Sequence, residues 1–209
     1  MSTQIIEIQR GSPDYPKGLD PFFEKEPPRL WYVGEPSILN NSLLGIVSAR
    51  KIEPDLALKV SELLRQLPTL EVAFIGGWHS PLEEEALRIL LNQLVRIVFC
   101  VPKSLSRFVP SAEVADVISQ RRGLLLSHCS PKAKRISRDA SLRRNRLIAG
   151  LSRGMVVLSA PPASASLKLA QLTIQLGKPV FAAVHRTNEE LLRSGALPAT
   201  LENIQGVFE

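Results

Sequence analysis

The sequence predicts an α/β fold: a doubly wound, mainly parallel sheet with helices on both faces. Three observations carry that expectation. Short, near-continuous apolar runs recur along the chain, patterns of helical period lie between most of them, and the loops joining run to helix carry Ser, small residues or His. Strands apolar on both faces belong to parallel sheets covered on both sides, and each strand–helix–strand unit closes right-handed.

Length and composition set the frame. A chain of 209 residues, 44% hydrophobic and 22% charged, is ordinary for one globular domain. At this size a core forms without disulfides or a metal. Intrinsic disorder, collagen-like repeats and a disulfide scaffold are excluded. Residues 1–30, with Pro13, Pro16, Pro21, Pro27 and Pro28, read as an extended N-terminal extension packed on a main domain of residues 31–209.

The elements follow in order. Strand candidates are 30–33 and 43–48, followed by a helix at 54–67; then strand 72–76 and helix 81–93, and strand 95–101 and helix 112–120. Strand 123–127 precedes helix 139–151, strand 155–159 precedes helix 167–176, and strand 179–184 closes the set. Cys100 ends an apolar run, where cysteine behaves as a small buried hydrophobe. With Cys129 elsewhere and no CxxC, both thiols are expected reduced, as in a cytosolic protein. No signal-peptide pattern appears, and no apolar stretch nears the roughly 20 residues of a membrane span. A cytoplasmic protein without membrane partners is expected.

In such a sheet, ligands bind beyond the carboxyl ends of the strands. The loops there are 48–51, 76–80, 127–130 and 159–166, suited to close approach of backbone amides to an anion. Ser80-Pro81-Leu82-Glu83 has the S-x-x-E form of a capping box with Pro at the first helical position. Gly76 and Gly77 before it allow positive φ or contact with a phosphate, and His79 could donate to one or act as acid or base. Trp78 and Phe108 are the candidates near these loops for stacking a base. No GxGxxG, GxxxxGK[ST], HExxH, CxxC or GxSxG motif occurs, so no cofactor and no metal are expected.

Charge is uneven. The net +6 divides into ten basic residues and one acid, Asp139, between Arg121 and Arg153, which is +9, and a remainder of −3. At its centre Arg143-Arg144-Asn145-Arg146 sits on a helix, with Arg143 and Arg146 sharing the face of Asp139 while Leu147, Ile148 and Leu151 turn to the core. A phosphate-binding patch is the better reading of so unbalanced a segment.

These motifs, in order, resemble the bacterial DNA-processing protein A (DprA, Smf) family over about residues 15–200. Tyr15-Pro16 with Leu19, then Pro27-Pro28-Arg29-Leu30-Trp31-Tyr32-Val33-Gly34, is similar to its opening; Gly45-Ile46-Val47-Ser48-Ala49-Arg50-Lys51 to its V-G-S-R-K turn; and Ile75–Ser80 to its S-G-x-A-R-G loop. Arg143-Arg144-Asn145-Arg146-Leu147-Ile148-Ala149-Gly150-Leu151-Ser152 nearly repeats its R-R-N-R-I-I-A-G-L-S, and Ser164-Ala165-Ser166-Leu167 its S-G-S-L. Segments 177–182 and 192–196 fit its closing part.

The resemblance implies a Rossmann-like, non-enzymatic protein of DNA uptake and recombination. It would bind single-stranded DNA in a positive pocket, with a recombinase and a second copy of the chain as partners. Positions matching the pocket are Arg50, Gly76, Arg144, Asn145, Arg146, Ser164 and Ser166, adjoined by Lys51, Gly77, His79 and Arg143. Departures stand at Ser48, Ala49, His79, Ala163 and Ala165. An alternative is a sensor module for a nucleotide or other phosphorylated ligand. A LOG-type phosphoribohydrolase lacks its catalytic Glu, since Lys168 or Leu169 occupies that place.

Overall fold

The structure, a computed structural model, describes residues 4–23, 25–133 and 138–208, with the backbone only at Arg138. The strands are β1 (Ile6–Ile8), β2 (Leu30–Gly34), β3 (Leu43–Ser48), β4 (Ala73–Gly76), β5 (Arg96–Cys100), β6 (Gly123–Ser127), β7 (Gly154–Ser159), β8 (Val180–Ala182) and β9 (Leu197–Pro198). They form one sheet in the order β1-β2-β6-β5-β4-β3-β7-β8-β9. From β6 across to β9 every pairing is parallel; β2 runs antiparallel to β6, and β1 antiparallel to β2. The doubly wound, mainly parallel sheet read from the sequence is the observed one.

Helices cover both faces because each buries one stripe of period 3.6. On one side lie α1 (Pro54–Gln66), α2 (Pro81–Leu91) and α3 (Ala112–Ser119), which insert Leu56, Val60 and Leu64, then Leu82, Ala86 and Leu90, then Val114 and Val117. Here also packs Ile204 of α7 (Leu201–Phe208). On the other side α4 (Arg138–Leu151) buries Leu147 and Ile148, and α5 (Ala165–Gln175) buries Leu167, Leu169 and Ala170. Leu191 of the short α6 (Glu189–Arg193) and Leu19 and Phe22 of the N-terminal segment join that side. Among the described residues no helix is long and apolar enough to cross a membrane.

Strand order places the site. From β3 the chain steps outward through β4, β5 and β6; α4 then returns it to β7, beside β3, and the remaining strands go the other way. The reversal point is therefore at the carboxyl ends of β3 and β7, from which the chain leaves for opposite faces of the sheet, the place where such folds generally bind ligands.

The return of α4 is secured at its C-terminal end. The last carbonyls of a helix lack intrahelical donors. Here Lys178 Nζ donates to the carbonyls of Ala149 (3.0 Å), Gly150 (2.7 Å) and Ser152 (2.8 Å), and stands 5.0 Å over the Phe22 ring. Gly177, at φ +75, makes the turn that delivers this lysine. Burial lowers its pKa to about 8. One side chain thus fixes α4 to the N-terminal segment and to the loop entering β8.

The sequence reading omits β1, β9, α6 and α7. The first two are three and two residues long at opposite edges of the sheet, too short for alternation to register. The spacing of Leu201, Ile204 and Phe208 does carry a helical period, and Gly206 within it weakens the pattern.

Replacing Lys178 with Ala strands three helix-terminal carbonyls. The substitution is expected to cost about 2 kcal/mol of unfolding free energy in a urea titration. An unchanged midpoint would show that water replaces the ammonium without loss.

Candidate anion-binding site at the strand ends

The loop after β4 begins with two glycines, and each is required by contact. Trp78 adopts φ +53, a conformation costly for a bulky residue, and thereby folds its indole back over the strand end. A Cβ on Gly76 would lie 2.8 Å from that indole. The ring Nε1–H donates to the Val98 carbonyl at 3.1 Å, and the indole meets Phe99 edge-on with centroids 6.5 Å apart. Trp78 is therefore tied to the core through its ring N–H and its edge. A Cβ on Gly77 would stand 1.7 Å from Nη1 of Arg144.

That arginine is 1% exposed, the largest of the fully buried side chains. Its Nη1 donates to the Cys100 carbonyl at 3.3 Å and its Nε to Asn145 Oδ1 at 2.8 Å. Nη2 lies 3.1 and 3.3 Å from the two ring nitrogens of His79. A near-equidistant atom cannot lie in the ring plane without striking Cε1, so the guanidinium stacks on the imidazole face. The ring's Nδ1, 3.1 Å from Glu83 Oε2, is then the N–H that donates to that carboxylate.

Glu83 is 2% exposed. Ser80 Oγ accepts its backbone N–H at 3.4 Å, so Ser80 caps α2 as the sequence suggests. The reciprocal half of the capping box is absent, because the carboxylate is occupied elsewhere: Oε1 accepts the Ser48 N–H at 2.8 Å and Oε2 the His79 N–H at 3.1 Å. Burial alone raises this carboxyl's pKa; the hydrogen bonds and charge of His79 and the charge of Arg144 outweigh it and hold the group below the usual carboxylate value. Burial likewise lowers the Arg144 pKa, opposed by Glu83. It pushes the Cys100 thiol up to about 12, leaving it a small hydrophobe.

At the reversal point the two loops are tied together. The Ala49 N–H donates to the Ser159 carbonyl at 2.8 Å, Ser159 Oγ to the Lys51 carbonyl at 3.3 Å, and Ser166 Oγ to the Ser159 carbonyl at 3.0 Å. Ser164 caps α5, accepting the Leu167 N–H at 3.1 Å, after Ala163 turns at φ +61. Buried Asn188 accepts the Ala160 N–H at 2.8 Å and donates to the Leu158 and Ala183 carbonyls. Over this scaffold Arg50 and Lys51 are exposed, and among the described residues neither side chain has a hydrogen bond or ion pair.

Glu53, Asp55 and His185 bring ligand atoms within 4.8 Å of one another nearby. Nδ1 of His185 accepts the Thr187 N–H at 3.1 Å, which leaves the proton on Nε2, 3.1 Å from Asp55. A metal-binding Nε2 needs the opposite tautomer, with Nδ1 donating. Arg186 already joins Glu53 and Asp55, so the cluster is an ion-pair network.

The eleven residues singled out from the sequence thus fall into groups. Gly76, Gly77, His79 and Arg144 meet beyond β4 and β5. Arg50, Lys51, Ser164 and Ser166 meet beyond β3 and β7, close enough that the Arg50 charge depresses the Arg144 pKa. Asn145 and Arg146 face α5 along one groove. Arg143 turns away and lies 5.9 Å over Phe23, while Lys134 and Arg135 fall outside the described residues. Phe108 carries the Lys103 ammonium 5.1 Å from its centroid. Read from the sequence, Glu83 caps α2, complements its dipole and repels a nearby anion, and Asn188 is not singled out. An acid following Gly-Gly and opposite an Arg-rich helix was the available signal for Glu83.

The sequence matches the family described as DNA recombination-mediator protein A over residues 7–201. Protein Smf of Borreliella burgdorferi is 27% identical over 175 residues, which are 82% of this chain and 54% of that protein. DNA processing protein DprA of Streptococcus pneumoniae is 26% identical over 170 residues, 80% of this chain and 59% of that one. This chain therefore spans little more than half the length of these relatives. In structure, the S. pneumoniae protein superposes with a TM-score of 0.81 at 23% identity, covering 99% of this chain and 75% of that chain. DNA processing protein A of Helicobacter pylori, whose single-stranded DNA binding mode has been described structurally, gives 0.76 at 25% identity, covering 98% and 95%.

Two outcomes test the buried network and its surroundings. Gly77→Ala must displace a guanidinium that has no room to move, and is expected to cost roughly 1–3 kcal/mol in thermal or urea unfolding, as overpacking does. His128, at the end of β6, is held down to about 4, against an ordinary 6.5, by burial and then by Arg143 and Arg144. The unfolded chain therefore takes up this proton first as pH falls. The stability this neutral histidine confers is full above pH 6.5 and declines between 6.5 and 4. Melting temperature should fall across that window, and His128→Gln should flatten the fall; equal slopes in both proteins would remove His128 as the cause.

Proposed function

The chain belongs to the DNA recombination-mediator protein A family, and from that premise we propose that it binds single-stranded DNA at the carboxyl ends of β3 and β7. The observation that carries this reading is the pair Arg50 and Lys51: exposed, without partners among the described residues, and beside the Ser164-capped start of α5. The first amides of that helix have no helical acceptors, and its positive end favours a phosphate. Cations anchored on a tied loop neutralise a backbone without reading its sequence.

Arg144 has a different part in this reading. Buried under His79, it holds the Gly77 loop and the β5 end in place, so that the site keeps its shape when a strand arrives. Binding is the function, with no chemical step. Residues 161–169 contain no acid, and Glu83, the buried carboxylate of the site, already accepts three N–H groups. A recombinase and a second copy of the chain complete the proposed partners.

A fluorescent oligonucleotide titrated at several salt concentrations tests the proposal. Affinity should fall steeply with salt, and Arg50→Ala/Lys51→Ala should weaken binding to all sequences alike. The double variant should flatten the slope of log K on log salt by about 0.7 for each phosphate that is no longer neutralised. Its melting temperature should not change, because both side chains are exposed. Salt-insensitive binding by the unaltered protein would overturn the reading.

A further inference from the structure

We propose that the groove between α4 and α5 is a base slot, which admits one unpaired base of the strand and places its flanking phosphates on Arg146 and Lys168. The inference rests on the single-strand reading above and deepens it. The groove encloses about 250 Å³, below the roughly 300–1,000 Å³ of pockets for drug-sized ligands. Its walls are apolar, from Leu142, Leu169 and Leu172, and its polar lining is Asn145, Arg146 and Lys168.

Three features select a base as the occupant. Leu142 is 42% exposed at the groove, an apolar side chain suited to lie against a flat ring. The Asn145 side-chain oxygen already accepts from Arg144, so what its amide has left to offer is N–H, matched to the carbonyl and ring-nitrogen acceptors that bases carry. The two cations complement a chain that bears a phosphate on each side of every base. The groove also reaches the start of α5: Ala163 and Ala165, which line it, flank the cap residue Ser164. A strand lying on Arg50 and Lys51 passes this opening.

Entry requires the base to be unstacked and unpaired, which a duplex does not supply without the cost of opening it. The slot therefore selects single strands over duplex, while the strand-end cations supply affinity common to both. Apolar contact with a base face is tolerant of sequence, so little base preference is expected.

Ala165→Phe fills the groove from an exposed position, and Leu142→Gln removes an exposed wall; neither touches the core. For a single-stranded oligonucleotide each should lose roughly ten-fold in affinity, the loss of one buried base. The weaker binding to duplex of the same sequence and the melting temperature should both be unchanged. A strand bearing abasic sites should bind the unaltered protein as weakly as the intact strand binds Ala165→Phe. If the unaltered protein shows no salt-dependent binding, the single-strand reading falls and the slot with it. If it binds as proposed, but both variants match it and abasic strands bind normally, the slot alone is refuted.

Discussion

A guanidinium and a carboxylate, both nearly sealed from water, organise the functional end of this molecule. Unpaired, either would be expensive to bury by several kcal/mol. Arg144 and Glu83 are reconciled through the ring of His79, which stacks under one and donates to the other. The carboxylate's remaining bonds reach the backbone at Ser48 and His79, and the guanidinium's reach Cys100 and Asn145. Ends of β3, β4 and β5, with α2 and α4, are thereby fixed by one connected set of charges. Gly77 exists because the guanidinium needs its space. Polar networks of this kind are safe only when complete, and here each charged member has its partners.

The same network explains how a departure from the family pattern is accommodated. His79 stands where the resemblance calls for an arginine. A second guanidinium against Arg144 would oppose it; an imidazole supplies a flat face and a single N–H for Glu83. The neighbouring Trp78 bends into the left-handed region and covers Gly76. The β4 loop thus packs Trp78 and His79 against its own neighbours, while Arg50 and Lys51 at the end of β3 stay exposed.

Legibility followed burial. Strands β3, β5, β6 and β7 are buried along nearly their whole length, so their apolar runs stand out in the sequence, and the helices between them show their stripes. β2 reads equally well as a strand, yet its residues carry no mark of direction, and it is antiparallel. Edge elements of two or three residues have no period to detect. Of the site, the loops and the Arg-rich helix were legible as motifs. What a sequence does not encode locally is which way each side chain of Arg143-Arg144-Asn145-Arg146 turns, since that depends on contacts with Gly77, Phe23 and α5 far along the chain.

Those contacts also change what the +9 segment means. Counted along the sequence, it suggests a basic patch. In space, Arg121 pairs with Glu35, Arg122 donates to the carbonyls of Gln93 and Val95, and Arg153 stacks on Phe208. Arg143 stacks on Phe23, and Arg144 is buried. Arginine suits such posts because its planar, weakly hydrated group can both stack and donate along several directions. Five arginines of the segment thus have partners within the fold itself. The exposed cations of the proposed strand site, Arg50, Lys51 and Lys168, lie outside the segment. Net charge raises the expectation of a polyanionic partner; topology decides where such a partner can be met.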